Sequence, residues 1–153
     1  MKLYFSPGAC SLASHIVLRE LGLPFEAVQV DLGSKKTKSG ADFAALNPKG
    51  YVPLLQLDDG RMLSEGPAIL QYLADRKPEA KLAPANGTFE RYQLQEWLAY
   101  LNSEVHKTFS GFFKPDATAE QKEALKTVLK RRLGYVEQQI GSRHDVERVR
   151  RTV

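Results

Sequence analysis

The sequence predicts an α/β N-terminal domain followed by an all-helical C-terminal domain. Two hydrophobic patterns indicate this organisation. Over residues 1–77, short apolar runs of strand length alternate with runs of helical spacing, whereas over residues 88–141 apolar residues recur at intervals of three and four. Residues 78–87 contain prolines, an asparagine and a glycine without any period, as is typical of a linker. A chain of 153 residues is long enough for two small domains that share a core.

The first domain is predicted to begin with a buried strand and a helix. The strand covers residues 3–5 and ends at the Ser6-Pro7-Gly8 turn, and the helix begins near Cys10 and Ser11 and ends at Gly22. The expected apolar face of this helix consists of Leu12, Ile16, Val17 and Leu21. The later elements are a strand over 25–30, a short helix over 43–46, a hairpin of strands over 52–57 and 61–63, and a helix that begins at 64–65. The order is therefore βαβ, a short helix, then ββα.

Two long helices are predicted in the second domain. The first carries Leu94, Trp97, Leu98, Leu101, Val105 and Phe109, and the second carries Leu125, Val128, Leu129, Leu133, Val136 and Ile140. Thr118 and Gln121 have the spacing of a capping box at the start of the second helix. Because few other residues remain to cover these faces, we expect Trp97 and Leu129 to contact a neighbouring subunit or to lie partly exposed.

Composition excludes several classes of protein. With 42% hydrophobic and 26% charged residues, the chain has the composition of an ordinary soluble globular protein. The formal net charge is +4, half of it from the basic tail of residues 142–153, and no basic stripe alternates with aromatics, so we expect no nucleic-acid partner. No apolar run has the length of a membrane span and no signal peptide is recognisable, so we expect no membrane partner and a cytoplasmic location.

The cysteine and histidine content argues against a metal site. The chain has a single cysteine, Cys10, which excludes an internal disulfide and a cysteine-based zinc site. The three histidines, His15, His106 and His144, do not have the spacing of metal ligands. We therefore expect no metal cofactor.

Cys10 is the first candidate for chemistry. A thiol at the first turn of a helix lies near unpaired amides and the positive end of the helix dipole, which stabilise a thiolate and lower the pKa of the thiol. A thiolate at this position is able to attack electrophiles or exchange with disulfides. The alternative is that Cys10 is a small buried hydrophobe.

Three further segments offer groups that bind a peptide. Pro53 interrupts the strand ladder and leaves the amide and carbonyl of Val52 for an extended peptide, the alternative being a plain turn. Glu65 and Gly66, at a helix start, offer a carboxylate for an amine and bare amides for a carboxylate, the alternative being a simple partner of the helix dipole. Lys35 is a candidate to hold a second carboxylate, or is a solvated loop lysine.

These motifs together resemble the bacterial beta-class glutathione transferases. The matching segments are Pro7-Gly8-Ala9-Cys10-Ser11-Leu12-Ala13, Asn47-Pro48-Lys49-Gly50-Tyr51-Val52-Pro53, Ser64-Glu65-Gly66-Pro67-Ala68-Ile69, Gln71-Tyr72-Leu73-Ala74-Asp75 and Glu104-Val105-His106-Lys107. The resemblance covers about residues 1–141, and the motifs occur in the order that the family has. It implies a thioredoxin-like N-terminal domain, a helical C-terminal domain, a homodimer, and a role in detoxification.

The resemblance also implies glutathione as co-substrate, conjugated to small hydrophobic electrophiles, with thiol–disulfide exchange through Cys10 as a further activity. The implied glutathione contacts are Cys10, Ser11, Lys35, Val52, Pro53, Glu65, Gly66, Ser103, Glu104, His106 and Lys107. Cys10 and His106 are the implied catalytic residues: the cysteine lies beside the glutathione sulfur, and the histidine forms a hydrogen bond near it. Because position 13 is Ala13, no second thiol is available to resolve a mixed disulfide.

The departures from the family pattern are Phe5, where members often have a tyrosine, Ala99, where an asparagine is common, Tyr51 and the chain ending. Tyr51 replaces the usual glutamine before Val52, which leaves backbone pairing intact and changes a side-chain contact. Residues 142–153 resemble nothing in the family, whose members continue into further helices, so we expect a truncated or frameshifted ending, with a natural basic tail as the alternative. The alternative function is a non-catalytic glutathione-transferase-like binding module or an inactive truncated product.

Overall fold

The computed structural model describes residues 1–141, which fall into two compact units. The first unit is Met1–Gln95, and the second begins at Glu96. This division lies inside the helix Phe89–Tyr100 and not in residues 78–87, the predicted linker. Residues 78–87 contain a short 3₁₀ helix, Pro78–Ala80. The predicted limits of the domains stay a prediction.

The first unit contains the predicted alternation of strands and helices. Its elements are β1 (Lys2–Phe5), α1 (Ser11–Glu20), β2 (Glu26–Asp31), β3 (Lys36–Thr37), α2 (Phe43–Leu46), β4 (Leu54–Gln56), β5 (Met62–Ser64) and α3 (Gly66–Asp75). Among these elements, only the two-residue strand β3 is not predicted from the sequence. Pro67 is the second residue of α3, where proline's fixed φ and missing N–H are tolerated.

Within residues 1–141 the strands form a five-stranded sheet in the order β3-β2-β1-β4-β5. The central strand β1 pairs with β2 in parallel and with β4 in antiparallel, Leu3 lying opposite Leu55 and Tyr4 opposite Leu54. Because side chains alternate across a strand, these two pairs face opposite sides of the sheet. The sheet therefore has a core on each face.

The two cores differ in their partners. Helices α1 and α3, which pack on each other, contribute to the first core, which consists of Leu3, Leu18, Leu21, Leu55, Ile69 and Leu73. The second core includes the helix residue Phe43 and consists of Tyr4, Val30, Phe43, Val52 and Leu54. Val52, a predicted site residue, is thus anchored in the second core by its side chain.

The face that α1 buries differs from the predicted one. Leu12 and Ile16 are 58% and 50% exposed, whereas Ser11, Ser14 and Leu18 are buried. The hydroxyl of Ser11 is bonded to the amide and carbonyl of Ser6, which turns the first residue of α1 inward and sets the helix rotation from its start. The expectation for Leu12 and Ile16 is therefore wrong, because the turn and not the size of the apolar residues decides the buried face.

The second unit is helical. The helical elements from residue 89 onward are α4 (Phe89–Tyr100), a π-helix (Leu101–His106), α5 (Lys107–Phe109), a 3₁₀ helix (Ser110–Phe113) and α6 (Ala119–Gly141). The predicted capping box is present, since the amide of Gln121 donates to the hydroxyl of Thr118 and the amide of Thr118 donates to the side chain of Gln121.

Trp97 and Leu129, which were both expected to be partly exposed or to contact a neighbouring subunit, differ in their burial. Trp97 is partly exposed, as expected, and stacks on Tyr135 with ring centroids 5.8 Å apart. Leu129 is only 6% exposed, so the expectation that it lies bare or needs a neighbouring subunit is wrong. The helix that carries Leu129, α6, packs against the π-helix, α5 and the 3₁₀ helix of the same chain.

Among residues 1–141, no helix is both long enough and apolar enough to cross a membrane. The predicted truncation or frameshift concerns residues 142–153, which lie outside the described residues.

Candidate functional site

Cys10 lies at the junction of the β1–α1 turn and the segment before β4. The residue directly precedes α1 and is exposed. Its Sγ donates a hydrogen bond to the carbonyl oxygen of Val52 at 3.4 Å. This contact brings together two of the predicted site residues, 42 positions apart in the chain.

The pKa of the Cys10 thiol is raised above its ordinary value. Although the residue is exposed, the surrounding protein partly desolvates the sulfur, and this is the largest cause of the raised pKa. The amides of Cys10 and Ser11 each lower the pKa by less than the desolvation raises it, and the negative charge of Glu65 adds a still smaller increase. The expectation of a lowered pKa is therefore wrong in sign: Cys10 is a protonated hydrogen-bond donor at neutral pH.

The Val52–Pro53 segment precedes β4 without joining its ladder. The peptide bond between the two residues is cis, and both side chains are buried. In the part of the chain that the structure describes, no main-chain carbonyl accepts a hydrogen bond from the amide of Val52. The main-chain carbonyl of Val52 thus faces the turn that carries Cys10, while its side chain packs in the core.

The loop of residues 47–51 is held from both ends. Asn47, which is 4% exposed, donates from its side-chain amide to the carbonyl of Tyr51 at 2.8 Å and accepts from the amide of Lys49 at 3.3 Å. Lys35 Nζ donates to the carbonyl of Gly50 at 2.8 Å, and Gly50 has φ +69°, which a residue with a Cβ adopts only with strain. Asn47 is not among the predicted site residues, although the Asn-Pro pair is a common turn signal.

Glu65 carries the most heavily bonded carboxylate of this site. Its Oε1 accepts from Lys49 Nζ at 2.6 Å and from the Tyr51 hydroxyl at 2.9 Å, and the same Lys49 Nζ also reaches Ser64 Oγ at 3.0 Å. The hydrogen bond to Glu65 raises the pKa of the Lys49 ammonium and that of the Tyr51 phenol. Glu65 has φ +72°, an unusual backbone conformation for a residue other than glycine.

The other predicted contacts of the first unit have distinct surroundings. Gly66 is the first residue of α3, and a Cβ built on it meets no other atom within 4 Å, so the space beside this helix start is open. Ser11 is fully buried, and its hydroxyl is already bonded within the β1–α1 turn. Within the first unit, the structure therefore brings Cys10 to Val52, Lys35 to the loop, and the loop to Glu65.

Four predicted contacts belong to the second unit. Ser103, Glu104 and His106 lie in the π-helix, a type of segment that is frequent at functional sites, and Lys107 begins α5. Of these, Ser103, His106 and Lys107 are exposed. Their contact with glutathione stays a prediction.

Arg132, which sequence analysis did not single out, holds this π-helical segment. Its guanidinium forms an ion pair with the carboxylate of Glu104, donates to the Glu104 carbonyl at 2.5 Å, and donates to the hydroxyl of Thr108. The Thr108 hydroxyl donates to the same carbonyl at 2.6 Å. These bonds satisfy the carbonyl of Glu104, which lies in the π-helix, where the usual pattern of α-helical main-chain hydrogen bonds is interrupted.

Metal binding has no support among residues 1–141, where no three histidine, cysteine, aspartate or glutamate side chains form a group able to hold an ion.

Comparisons with known proteins give a consistent family assignment. The model of the glutathione S-transferase N-terminal domain matches residues 8–76. The chain is similar to the glutathione S-transferase GstA of Escherichia coli O157:H7, with 48% identity over 144 residues, which is 94% of this chain and 72% of the relative.

Two solved structures are also similar to this chain. A sphingomonad glutathione S-transferase complexed with glutathione is 50% identical with a TM-score of 0.91, over 94% of this chain and 71% of that one. The beta-class glutathione S-transferase of Sphingomonas chungbukensis is 52% identical with a TM-score of 0.88, over 91% of this chain and 69% of that one.

Proposed function

The chain belongs to the glutathione S-transferase family, and from this premise we propose that it binds glutathione and conjugates it to small hydrophobic electrophiles. Membership confirms the predicted family and the predicted transferase class. It also confirms the fold class, a thioredoxin-like N-terminal domain with a helical C-terminal region. The co-substrate, the electrophile and the residue roles are the proposed part.

The observation that carries the proposal is the arrangement of three groups in the first unit. Val52 has a main-chain amide without a main-chain partner among the described residues, Cys10 has a thiol hydrogen-bonded to the same residue, and Glu65 has a carboxylate close enough to raise the pKa of that thiol. A tripeptide that pairs with Val52 as an added strand has its thiol beside Cys10 and its amine beside Glu65. The similar sphingomonad protein binds glutathione.

Conjugation requires a glutathione thiolate next to an electrophile. The glutathione thiol loses its proton to solvent, its sulfur forms a bond to the electrophilic carbon, and the leaving group departs with the bonding electrons. A protonated Cys10 that turns its single proton from the Val52 carbonyl to the glutathione thiolate donates a hydrogen bond to it and favours this ionised state. The raised pKa of Cys10 thus supports a donor role more than a nucleophilic one.

Thiol–disulfide exchange is a second proposed activity, because Cys10 is exposed. Its thiolate attacks a glutathione-containing disulfide, forms a mixed disulfide and releases the other sulfur as a thiolate. A second glutathione then releases Cys10, since position 13 is an alanine. The raised pKa makes this exchange slow at neutral pH and faster as the pH rises.

Further parts of the proposal follow from the family. We propose a homodimer that works in the cytoplasm, with the electrophile bound near Phe109, Phe112 and Phe113. Phe109 and Phe112 lie together in the second unit, with ring centroids 6.4 Å apart. His106 and Lys107 are proposed to support the glutathione thiolate.

The test combines binding with turnover. The chain is expected to be retained on immobilised glutathione and to conjugate reduced glutathione to an activated aryl chloride. Cys10→Ser keeps a hydroxyl donor and most of the conjugation, whereas Cys10→Ala loses about tenfold, the value of one hydrogen bond to a charged group. Exchange activity disappears in both variants.

Two outcomes would contradict the proposal. Retention without turnover selects the alternative, a non-catalytic binding module. A folded chain that does not bind glutathione excludes both functions and the assignment of the site.

A further inference from the structure

We propose that Lys49 competes with the ammonium group of glutathione for the carboxylate of Glu65, and that Tyr51 holds this carboxylate in position during the exchange. The inference rests on the proposed function and deepens it, because it names residues that set affinity and selectivity for the amine. It starts from a side-chain cluster of Lys49, Tyr51 and Glu65, hereafter the Glu65 cluster.

The Glu65 cluster already contains the kind of group that the ligand supplies. The ammonium of Lys49 lies 2.6 Å from Oε1 of Glu65 and 3.0 Å from the hydroxyl of Ser64. An alkylammonium has a single positive charge and three donors, as does the α-ammonium of glutathione. Two such ions at one carboxylate oxygen repel each other, so binding of the ligand's amine displaces Lys49.

Lys49 is able to leave because both members of the ion pair are accessible to water. Its side chain is 47% exposed and that of Glu65 is 43% exposed. An ion pair between exposed side chains changes an equilibrium constant by only about twofold to fivefold. Once displaced, the flexible lysine regains hydration, so the exchange costs no more than that factor.

Tyr51 has the opposite role because its hydroxyl is neutral. It donates to the same Glu65 oxygen at 2.9 Å and adds no positive charge, so it is compatible with a bound ammonium. Its main chain is anchored by the bond from the Asn47 side chain, and Asn47 is buried. Tyr51 is therefore a positioning residue that acts through Glu65.

The proposal makes a selective prediction, because only a ligand with an amine displaces Lys49. The matched probe is glutaryl-cysteinyl-glycine, which keeps the thiol, the peptide groups, the glycine carboxylate and the α-carboxylate of glutathione and lacks only the α-ammonium. A second probe, in which the α-amine of glutathione is acetylated, keeps that carboxylate and removes the positive charge. Neither probe competes with Lys49 for Glu65.

Titration calorimetry on the full chain tests the exchange. Lys49→Met is expected to bind reduced glutathione about twofold to fivefold more tightly than the wild type and to leave the affinity for both probes unchanged. Tyr51→Phe is expected to bind glutathione about twofold to fivefold more weakly, again without a change for the probes. Lys38→Met, which removes the charge of another exposed lysine of the same unit, is the control and should match the wild type.

The outcomes separate this inference from the proposed function. A Lys49→Met variant that binds glutathione no more tightly than the wild type, or that gains equally for both probes, overturns the role of Lys49. A Tyr51→Phe variant that loses affinity equally for all three ligands overturns the positioning role of Tyr51. If Lys49→Met does not fold by circular dichroism, Lys49→Gln carries the same expectation. A wild-type chain that binds no glutathione overturns the proposed function, and this inference with it.

Discussion

At the scale of single residues, the structure changes the chemistry expected of Cys10. Position at a helix start favours a thiolate, but partial desolvation of the sulfur outweighs this effect and raises the pKa of the thiol, and the negative charge of Glu65 adds a smaller increase. The thiol donates its hydrogen bond to the carbonyl of Val52. The residue is therefore better suited to donate a hydrogen bond at neutral pH than to attack.

The pH dependence of Cys10 alkylation follows from the sign of this shift. Because the folded pKa is raised, the thiolate is scarce at pH 7, and alkylation by iodoacetamide should accelerate with a midpoint above that of a cysteine in a model peptide. Glu65→Gln removes the negative charge and should move the midpoint to lower pH. The rate is followed by mass spectrometry, with the unfolded chain as the reference. A midpoint below that of the unfolded chain would contradict the assignment.

At the scale of elements, short local signals decide where helices begin. The Thr118–Gln121 pair satisfies two backbone donors at the start of α6, and the structure has both bonds that the sequence predicts. Local hydrogen bonds also hold the loop of residues 47–51. The side chain of buried Asn47 bonds the carbonyl of Tyr51, and the hydroxyl of Tyr51 in turn bonds Glu65 of the Glu65 cluster.

Removing the cap of α6 should destabilise the chain measurably. Thr118→Ala deletes the side-chain acceptor for the amide of Gln121 and should lower the free energy of unfolding by about 1 kcal/mol. The measurement is urea unfolding followed by circular dichroism at 222 nm. Thr127→Ala is the matched control, because Thr127 lies inside α6, where its hydroxyl bonds the carbonyl of Glu123 and contributes little. Equal losses in the two variants would show that the capping bond is not stabilising.

At the scale of the whole molecule, one ion pair connects distant parts of the first unit. Arg91, whose side chain is 3% exposed, forms two hydrogen bonds to the carboxylate of Asp75 and one to the carbonyl of Pro84. The pair therefore joins α3, the segment after it and the start of α4. The hydrogen bonds from Arg91 hold the pKa of Asp75 below its ordinary value.

The stability of the chain should depend on pH through this pair. Because the folded pKa of Asp75 is lowered, the pair stabilises the fold above the unfolded pKa of about 3.9 and loses its effect as the pH falls through the folded pKa. Asp75→Asn should lower the free energy of unfolding by about 1–2 kcal/mol at pH 7, since Asp75 is partly exposed and Arg91 keeps its bond to Pro84.

Urea unfolding between pH 3 and pH 7 tests this dependence. The difference between the wild type and Asp75→Asn should shrink as the pH falls below about 4, where Asp75 takes up a proton in the unfolded state first, and it should be lost once the pH is below the folded pKa, where Asp75 is protonated in both states. Asp116→Asn, a change at an exposed aspartate of the second unit, should stay within about 0.5 kcal/mol of the wild type throughout. A difference that does not change with pH would show that charge is not its cause.

The sequence by itself determined the features that depend on neighbouring residues. The order of the strands and helices of the first unit apart from β3, the start of α1 beside Cys10 and the capping box of α6 were predicted, because backbone geometry and hydrogen bonds over a few residues decide them. Recognisable motifs also indicated the family.

Only the tertiary structure decided the features that depend on contacts across the fold. The buried face of α1, the burial of Leu129 and the direction of the Cys10 pKa shift differ from the sequence-based expectation. The Glu65 cluster was not foreseen at all, since its members are brought together across 14 to 16 positions of the chain. The physical reason is that burial and electrostatics depend on which groups are near in space, and a local pattern does not contain that information.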